Sequence, residues 1–81
     1  MSYRPTLAGS ALAKMKGLPE EALDALVSRV ADLAERPWDA GPTVPGRTDL
    51  RETTFGAFGF VFFVVDDAAE VITIYDLVWA G

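Results

Sequence analysis

The sequence contains no cysteine and no histidine. Without cysteine there is no disulfide, no thiolate nucleophile and no zinc site with cysteine ligands. Without histidine the chain lacks the commonest general base and the commonest metal ligand. A Ser-His-Asp triad, a Cys-His pair and an HExxH zinc site are therefore excluded within this chain. We expect it to hold neither a metal ion nor a cofactor.

Positive charge is also scarce. Seven lysines and arginines stand against twelve aspartates and glutamates, which gives a formal net charge of −5 and an isoelectric point near 4.4. Proteins that bind nucleic acid on their own usually carry the opposite sign, because contacts to phosphate supply much of their affinity. This composition disfavours a free-standing nucleic-acid binder.

Long hydrophobic runs are missing as well. The longest apolar stretch, Phe55 to Val65, has 11 residues including two glycines, which is too short for a membrane-spanning helix. The first residues also lack the basic cluster and apolar core of a signal peptide. With 81 residues, 51% of them hydrophobic, the sequence predicts one packed domain over residues 1–81. We expect a cytoplasmic protein with no membrane partner.

Two helices are predicted in the first half of the chain. The first spans about Leu7 to Lys16, with Thr6 as its N-terminal cap and Gly17 ending it in a left-handed conformation. The second begins at Pro19, places two glutamates in its first turn, and ends before Pro37. The short connection between them predicts a helical hairpin.

In the second half of the chain, apolar residues recur with the period of two that is typical of strands. Residues 37–48 read as a loop that Trp38 pins to the core, because they include three prolines and two glycines. Strands are predicted at 50–55, 58–65 and 71–79, and residues 2–4 are a candidate fourth strand. The predicted fold class is α+β, with an N-terminal helical hairpin packed on a mainly antiparallel sheet of three to four strands.

Two helices cover only one face of such a sheet. We expect the other face to expose an apolar patch that binds a partner or a second copy of the chain. The alternative is that the long loop or the C-terminus folds over the patch. The residues assigned to this uncovered face are Val61, Phe63, Ile72 and Ile74.

The order of these elements, together with three short motifs, resembles the RelE/ParE family of toxins from bacterial toxin–antitoxin pairs. The junction KMKGLPE at residues 14–20 is similar to the family's "L..LP.E", and GRTDL at 46–50 is similar to its "G....L". The stretch FGAFGFVFFVVDD at 55–67 is similar to "VGDYRVVYEVDD". The resemblance covers nearly the whole chain.

For the ribonuclease branch of this family, the resemblance implies cleavage of ribosome-bound mRNA by basic side chains that bind the scissile phosphate. Here Glu52, Gly59 and Asp76 stand where the family has basic residues, and only Arg47 and Arg51 remain near that surface. These two arginines are the candidate phosphate clamp. The alternative is a pair of solvated arginines that balance nearby carboxylates.

Tyr75 completes the set of candidate catalytic residues, because a phenol can act as a general acid or base in RNA cleavage. The alternative is that Tyr75 fills the core. If the protein is an enzyme, the resemblance implies an endoribonuclease acting on mRNA.

Two functions remain open from the sequence. The first is the toxin component of a type II toxin–antitoxin pair, with an antitoxin protein as its partner and the ribosome or mRNA as a partner only if it is active. The second is a non-catalytic interaction module on the same scaffold, either a degenerate toxin or a ParE-like poison that acts on DNA gyrase by protein contact.

Overall fold

Five strands form one sheet in the computed structural model, which describes residues 2–80. The elements are β1 (Arg4–Leu7), α1 (Gly9–Lys16), α2 (Glu20–Glu35), a 3₁₀ turn (Pro37–Asp39), β2 (Gly41–Val44), β3 (Arg47–Phe55), β4 (Gly59–Asp66) and β5 (Val71–Trp79). The order in the sheet is β1-β5-β4-β3-β2. β1 lies parallel to β5, and every other neighbouring pair is antiparallel. The predicted α+β class is confirmed. The predicted count of three to four strands is wrong, and the helical hairpin follows a strand.

The helical hairpin matches the expected pattern at α2 more closely than at α1. Pro19 precedes α2, and two glutamates occupy its positive first turn. Thr6 does not cap α1, because it belongs to β1 and its hydroxyl bonds Thr73 and the carbonyl of Ile72 across the strands. Gly17 ends α1 at φ −88°, in the right-handed and not the left-handed region. The first helix therefore starts later than its apolar pattern indicates.

The sequence interpretation missed β2, which lies within the segment read as a loop. Pro45 and Gly46 connect β2 to β3, and Gly46 has φ 84°. This order of residues suits a type II turn, which favours proline at its second position and requires positive φ at its third. The proline–glycine pair is thus a hairpin connection between two strands. Trp38 is 44% exposed, and Pro37 and Ala40 are the buried residues of the segment.

A bulge in β5 interrupts the alternation of inward and outward side chains. Phe62 pairs with Asp76 and Phe63 pairs with Ile74, so Tyr75 has no partner on β4. One extra residue on one strand shifts every later side chain by one position. Leu77 consequently faces inward and is 2% exposed.

The core lies between the sheet and the two helices. The four residues that the sequence interpretation placed on the uncovered face all belong to it, at 1% exposure or less: Val61, Phe63, Ile72 and Ile74. They pack with Ala11 of α1 and with Leu26 and Leu33 of α2. The face assignment was therefore inverted. The period of two separates the two sets of side chains but does not tell which set the helices cover.

Two kinds of structure are absent from residues 2–80. No helix in this part of the chain is long and apolar enough to cross a membrane. No group of three or more carboxylate, histidine or cysteine side chains is placed there to hold a metal ion.

Candidate functional site

The face of the sheet opposite the helices carries solvent-accessible apolar side chains, and we call it the open face. Phe60 pairs across the strands with Val78, and these two side chains are 47% and 49% exposed. Further along β4 the face includes two half-buried side chains. The apolar residues of the open face are Leu50, Phe60, Phe62, Val64 and Val78. The expected apolar patch therefore exists, but it consists of the alternate residues of the same strands.

The open face has carboxylates at two positions where the resemblance implies basic residues. Glu52 of β3 and Asp76 of β5 both pair with Phe62, one from each side. The hydrogen bond from Lys14 of α1 to Asp76, at 2.5 Å, lowers the pKa of this carboxyl below its usual value. A scissile phosphate on this face would meet acidic groups and one lysine that is already paired.

Gly59 cannot supply a side chain to the open face. It is paired with Phe55 at the end of the β3–β4 hairpin, and both residues are buried. A Cβ built at this position would lie 2.6 Å from atoms of the Phe55 ring. Position 59 therefore faces the helices, and a side chain there would not reach the open face.

Arg47 is bound to its neighbour on the same strand. Its Nε and Nη2 donate to the two carboxylate oxygens of Asp49, both at 3.0 Å. These hydrogen bonds raise the pKa of Arg47 and lower the pKa of Asp49. A bidentate pair of this kind occupies the geometry with which an arginine would hold a phosphate. A phosphate could bind bidentately to this Nε–Nη2 edge only by displacing Asp49, and beside Asp49 it would meet a guanidinium whose charge is already balanced.

Arg51 is held by two backbone carbonyls, one just after the 3₁₀ turn and one on β3. Its Nε donates to the carbonyl of Ala40 at 3.0 Å and its Nη1 to that of Thr48 at 2.6 Å. Its guanidinium carbon lies 5.1 Å from the centre of the Trp38 ring, which adds a cation–π contact. Because Arg51 pairs with Phe63 across the strands, its side chain leaves the sheet on the helix side.

Tyr75 lies on the other side of the sheet from Arg51. Its ring centre is 6.4 Å from that of Phe62, and the residue is half-buried. Ser10 of α1 donates to the carbonyl of Tyr75 at 3.0 Å, which fixes the bulged backbone. The structure thus separates the candidate catalytic residues, because Arg51 and Tyr75 emerge from opposite faces of strands that β4 keeps apart.

A second apolar surface was not anticipated from the sequence. A cleft of about 250 Å³ lies between β1 and the two helices, and we call it the hairpin groove. Val27 at its rim is 59% exposed, although it belongs to the stripe that the helical period assigns to the core. The lining is almost entirely apolar: Pro5, Leu7, Met15, Leu26, Val27, Val30 and Ile74, with Thr6. The exposed side chains of Val27 on α2 and of Leu7 on the edge strand β1 mark this groove.

Comparisons with known proteins point to one fold. The RelBE2 toxin–antitoxin complex of Mycobacterium tuberculosis is similar at a TM-score of 0.86 and 18% identity, covering 99% of this chain and 100% of that chain. The intact E. coli RelBE complex gives 0.84 at 16% identity, covering 99% of each chain. The archaeal RelE–RelB complex of Pyrococcus horikoshii gives 0.77 at 21% identity, covering 100% of this chain and 98% of that chain. No protein-family model and no curated protein matches the sequence. At this level of similarity over nearly the whole of each chain, the protein has the fold of the RelE toxins.

Proposed function

We propose that this protein is the toxin component of a type II toxin–antitoxin pair and that its partner is an antitoxin protein. Two of the similar structures are described as RelBE toxin–antitoxin complexes, and a third as a RelE–RelB complex. The hairpin groove supports a protein partner independently of them, because an accessible apolar cleft is a site at which a partner side chain is removed from water.

We further propose that the protein acts by protein contact and cleaves RNA poorly. The observation that carries this proposal is the composition of the open face, where Phe60 and Phe62 lie beside Glu52 and Asp76. Cleavage of a phosphodiester by a ribose hydroxyl builds negative charge that a ribonuclease must stabilise with cations or hydrogen-bond donors. Carboxylates on this face repel the developing negative charge and so raise the energy of the transition state.

The two candidate arginines support the same proposal. Arg47 is bound to Asp49, and Arg51 is bound to two backbone carbonyls. If the protein is nevertheless a ribonuclease, Arg47 and Arg51 are the expected phosphate ligands and Tyr75 the expected general acid or base. The function then requires the arginines to leave their present partners and to act on the same phosphate as Tyr75, which lies on the other face of the sheet from Arg51.

The ribonuclease activity is tested with purified protein and ribosomes programmed with a defined mRNA. We expect cleavage no greater than that of a matched reaction without protein. An Arg47→Ala/Arg51→Ala double variant serves as the control and should give the same result as the wild type. Position-specific cleavage that this double variant loses would overturn the proposal.

The pairing with an antitoxin is tested by induced expression with cell growth as the readout, with and without the product of the neighbouring reading frame. We expect growth arrest by the protein alone and rescue by its neighbour. Val27→Glu changes the rim of the hairpin groove at an exposed position, so it should keep the toxicity and lose the rescue. Phe58→Glu is the matched control, at a similarly exposed position in the turn between β3 and β4, and should still be rescued. Absence of any growth effect would reject the toxin and favour an interaction module without toxicity.

A further inference from the structure

A cleft of about 300 Å³ lies between the beginning of α2, the turn that joins β3 to β4, and the end of β5, and we call it the aromatic cleft. Its lining residues are Glu21, Ala25, Gly56, Ala57, Phe58 and Trp79. The aromatic cleft and the hairpin groove have no lining residue in common, so we expect each to be occupied independently of the other. The proposed toxin function assigns no role to the aromatic cleft.

Two aromatic rings form the walls of the cleft and meet at nearly a right angle. The ring centres of Phe58 and Trp79 are 6.1 Å apart, with 75° between the ring planes. The Trp79 ring also stacks on Phe55, which is fully buried and holds the indole in place. Phe58 is 60% exposed and Trp79 is half-buried, so both rings remain accessible. Because the face of an aromatic ring carries partial negative charge, such a corner attracts cations.

Small residues form the floor of the cleft and keep it open. Gly56 has φ 60°, and a Cβ built there would lie 3.3 Å from the Cβ of Ala25 and 3.6 Å from the Trp79 ring. Glycine at this position therefore permits both the turn and the close approach of α2. A larger side chain on the floor would occupy the space beside the indole.

Glu21 is the charged side chain of the cleft. It lies in the first turn of α2, one helical turn before Ala25, and is exposed. Within residues 2–80, no lysine or arginine forms an ion pair with it. Arg29, one turn beyond Ala25, donates to the carbonyl of Thr54 at 2.8 Å and lines a different cleft. The carboxylate of Glu21 is therefore available to a cation from outside the chain.

We propose that the aromatic cleft binds an arginine side chain of another protein. A planar guanidinium stacks on an aromatic ring and can donate two parallel hydrogen bonds to one carboxylate. The ammonium of lysine is a compact and strongly hydrated charge that does neither as well. Aromatic walls beside a single unpaired carboxylate thus favour arginine as the occupant.

The size and charge of the cleft favour a side chain within a polypeptide over a free small molecule. Its volume is at the lower end of the range of ligand pockets, which suits one side chain better than a larger organic molecule. Among the described residues that line it, none is basic, so none would hold the α-carboxylate of free arginine. The net charge of −5 also favours the approach of a basic segment.

The probe for this site is the peptide acetyl-glycyl-arginyl-glycinamide, titrated into the ¹⁵N-labelled protein and followed by NMR. Each tryptophan gives its own indole N–H signal, and Trp38 is the internal control for Trp79 because Arg51 already lies over its ring. We expect a saturable shift of the Trp79 signal at millimolar peptide and no shift of the Trp38 signal. The same peptide with citrulline, which has nearly the shape of arginine without its charge, should shift neither.

Three variants test the parts of the cleft. Glu21→Gln keeps the shape of the side chain without its charge and should weaken binding about two- to fivefold, the range of an exposed ion pair. Phe58→Leu keeps an apolar wall without the ring and should also weaken it about two- to fivefold, the range of an exposed cation–π contact. Glu20→Gln is the matched control, since Glu20 lies in the same turn but does not line the cleft, and should bind like the wild type. The dispersion of each spectrum shows whether the variant is folded.

Absence of a Trp79 shift with the arginine peptide overturns the proposal. Equal affinity for a peptide with lysine or leucine in place of arginine does so as well, because the cleft would then not select a guanidinium. A Trp79 signal that moves on dilution of the protein alone would instead place a second copy of the chain in the cleft. Equal weakening by Glu20→Gln and Glu21→Gln would attribute binding to the general charge of α2 and also refute the site. Because these measurements need neither an antitoxin nor a growth effect, their outcome is separate from that of the toxin function.

Discussion

Phe62 and Phe63 are adjacent in the sequence and lie on opposite faces of β4, so the pair tests the face assignment directly. Phe63 is fully buried among Phe55 and the apolar residues of both helices. Truncation of a buried phenylalanine to alanine typically costs about 3–5 kcal/mol, from lost transfer free energy and the cavity left behind. Phe62 is half-buried, and its principal aromatic contact is the ring of Tyr75. Its truncation should cost about 1–3 kcal/mol, from about half of the transfer free energy of a fully buried phenylalanine together with one aromatic pair.

The difference is large relative to the stability of so small a protein. At about 0.05–0.15 kcal/mol per residue, the free energy of unfolding of 81 residues is about 4–12 kcal/mol. Urea denaturation followed by circular dichroism, at about 5 µM protein, measures the loss. With a slope of about 1 kcal/mol per molar urea, Phe63→Ala lowers the midpoint by about 3–5 M, and Phe62→Ala by about 1–3 M.

Phe63→Ala is expected to unfold the protein if its stability is at the lower end of this range. Phe63→Leu keeps an apolar side chain of nearly the same volume and costs only about 1 kcal/mol, so it remains measurable. The reasoning is refuted if Phe62→Ala destabilises the protein more than Phe63→Ala does. That result would place the helices on the other face of the sheet.

Three further predictions concern close contacts and titrating groups. Gly59→Ala should destabilise the protein by about 1–3 kcal/mol by overpacking, since the new methyl group meets the Phe55 ring, and a thermal melt measures the loss. The hydrogen bond to Asp67 raises the pKa of Tyr3, so its phenolate should appear late in an absorbance titration, and Asp67→Asn should lower that pKa. Because the pKa of Tyr3 is raised, its contribution to stability is present below about pH 10 and is lost as the pH rises through the folded value. The pKa of Asp76 is lowered by its paired lysine, so its contribution is present at neutral pH and is lost on acidification through the folded value. The difference in urea midpoint between the wild type and Asp76→Asn should therefore disappear near pH 2.

Most strands of the sheet could be predicted from the sequence, but which of their side chains face the helices could not. The predicted third strand, 71–79, agrees with β5 at Val71–Trp79. Strand alternation defines two sets of side chains, and both sets in β4 are apolar, so hydrophobicity does not decide between them. The bulge at Tyr75 then moves Leu77 into the core, which no regular period anticipates.

The missed strand has a different cause. β2 has only four residues, Gly41–Val44, and contains a proline, so its composition is that of a loop. Its pairing with β3 depends on a long-range partner that local propensity does not describe. The sequence signal that does exist is the pair Pro45–Gly46, which is typical of a type II turn.

The candidate site was predictable only in part. The resemblance placed Glu52 and Asp76 at basic positions of the family, and both lie beside Phe62 on the open face. The partners of Arg51 are backbone carbonyls, and because every residue has one, the sequence does not show which of them Arg51 will bond. The direction of a side chain on a strand depends on register, and register is a property of the folded sheet.

The parallel pairing of β1 with β5 joins the beginning of the chain to its end, with Arg4 opposite Val71. A ribosome adds about 5–20 residues per second, so β1 waits about 3–14 s after its own synthesis before its partner strand exists. During that time α1 lacks β5, the strand on which it packs, and the apolar sides of the helices are covered at most in part. The complete sheet therefore forms only after β5 has been synthesised. Any molecule that captures the nascent hairpin in this interval would control how much active protein is made, with no need to bind the finished fold.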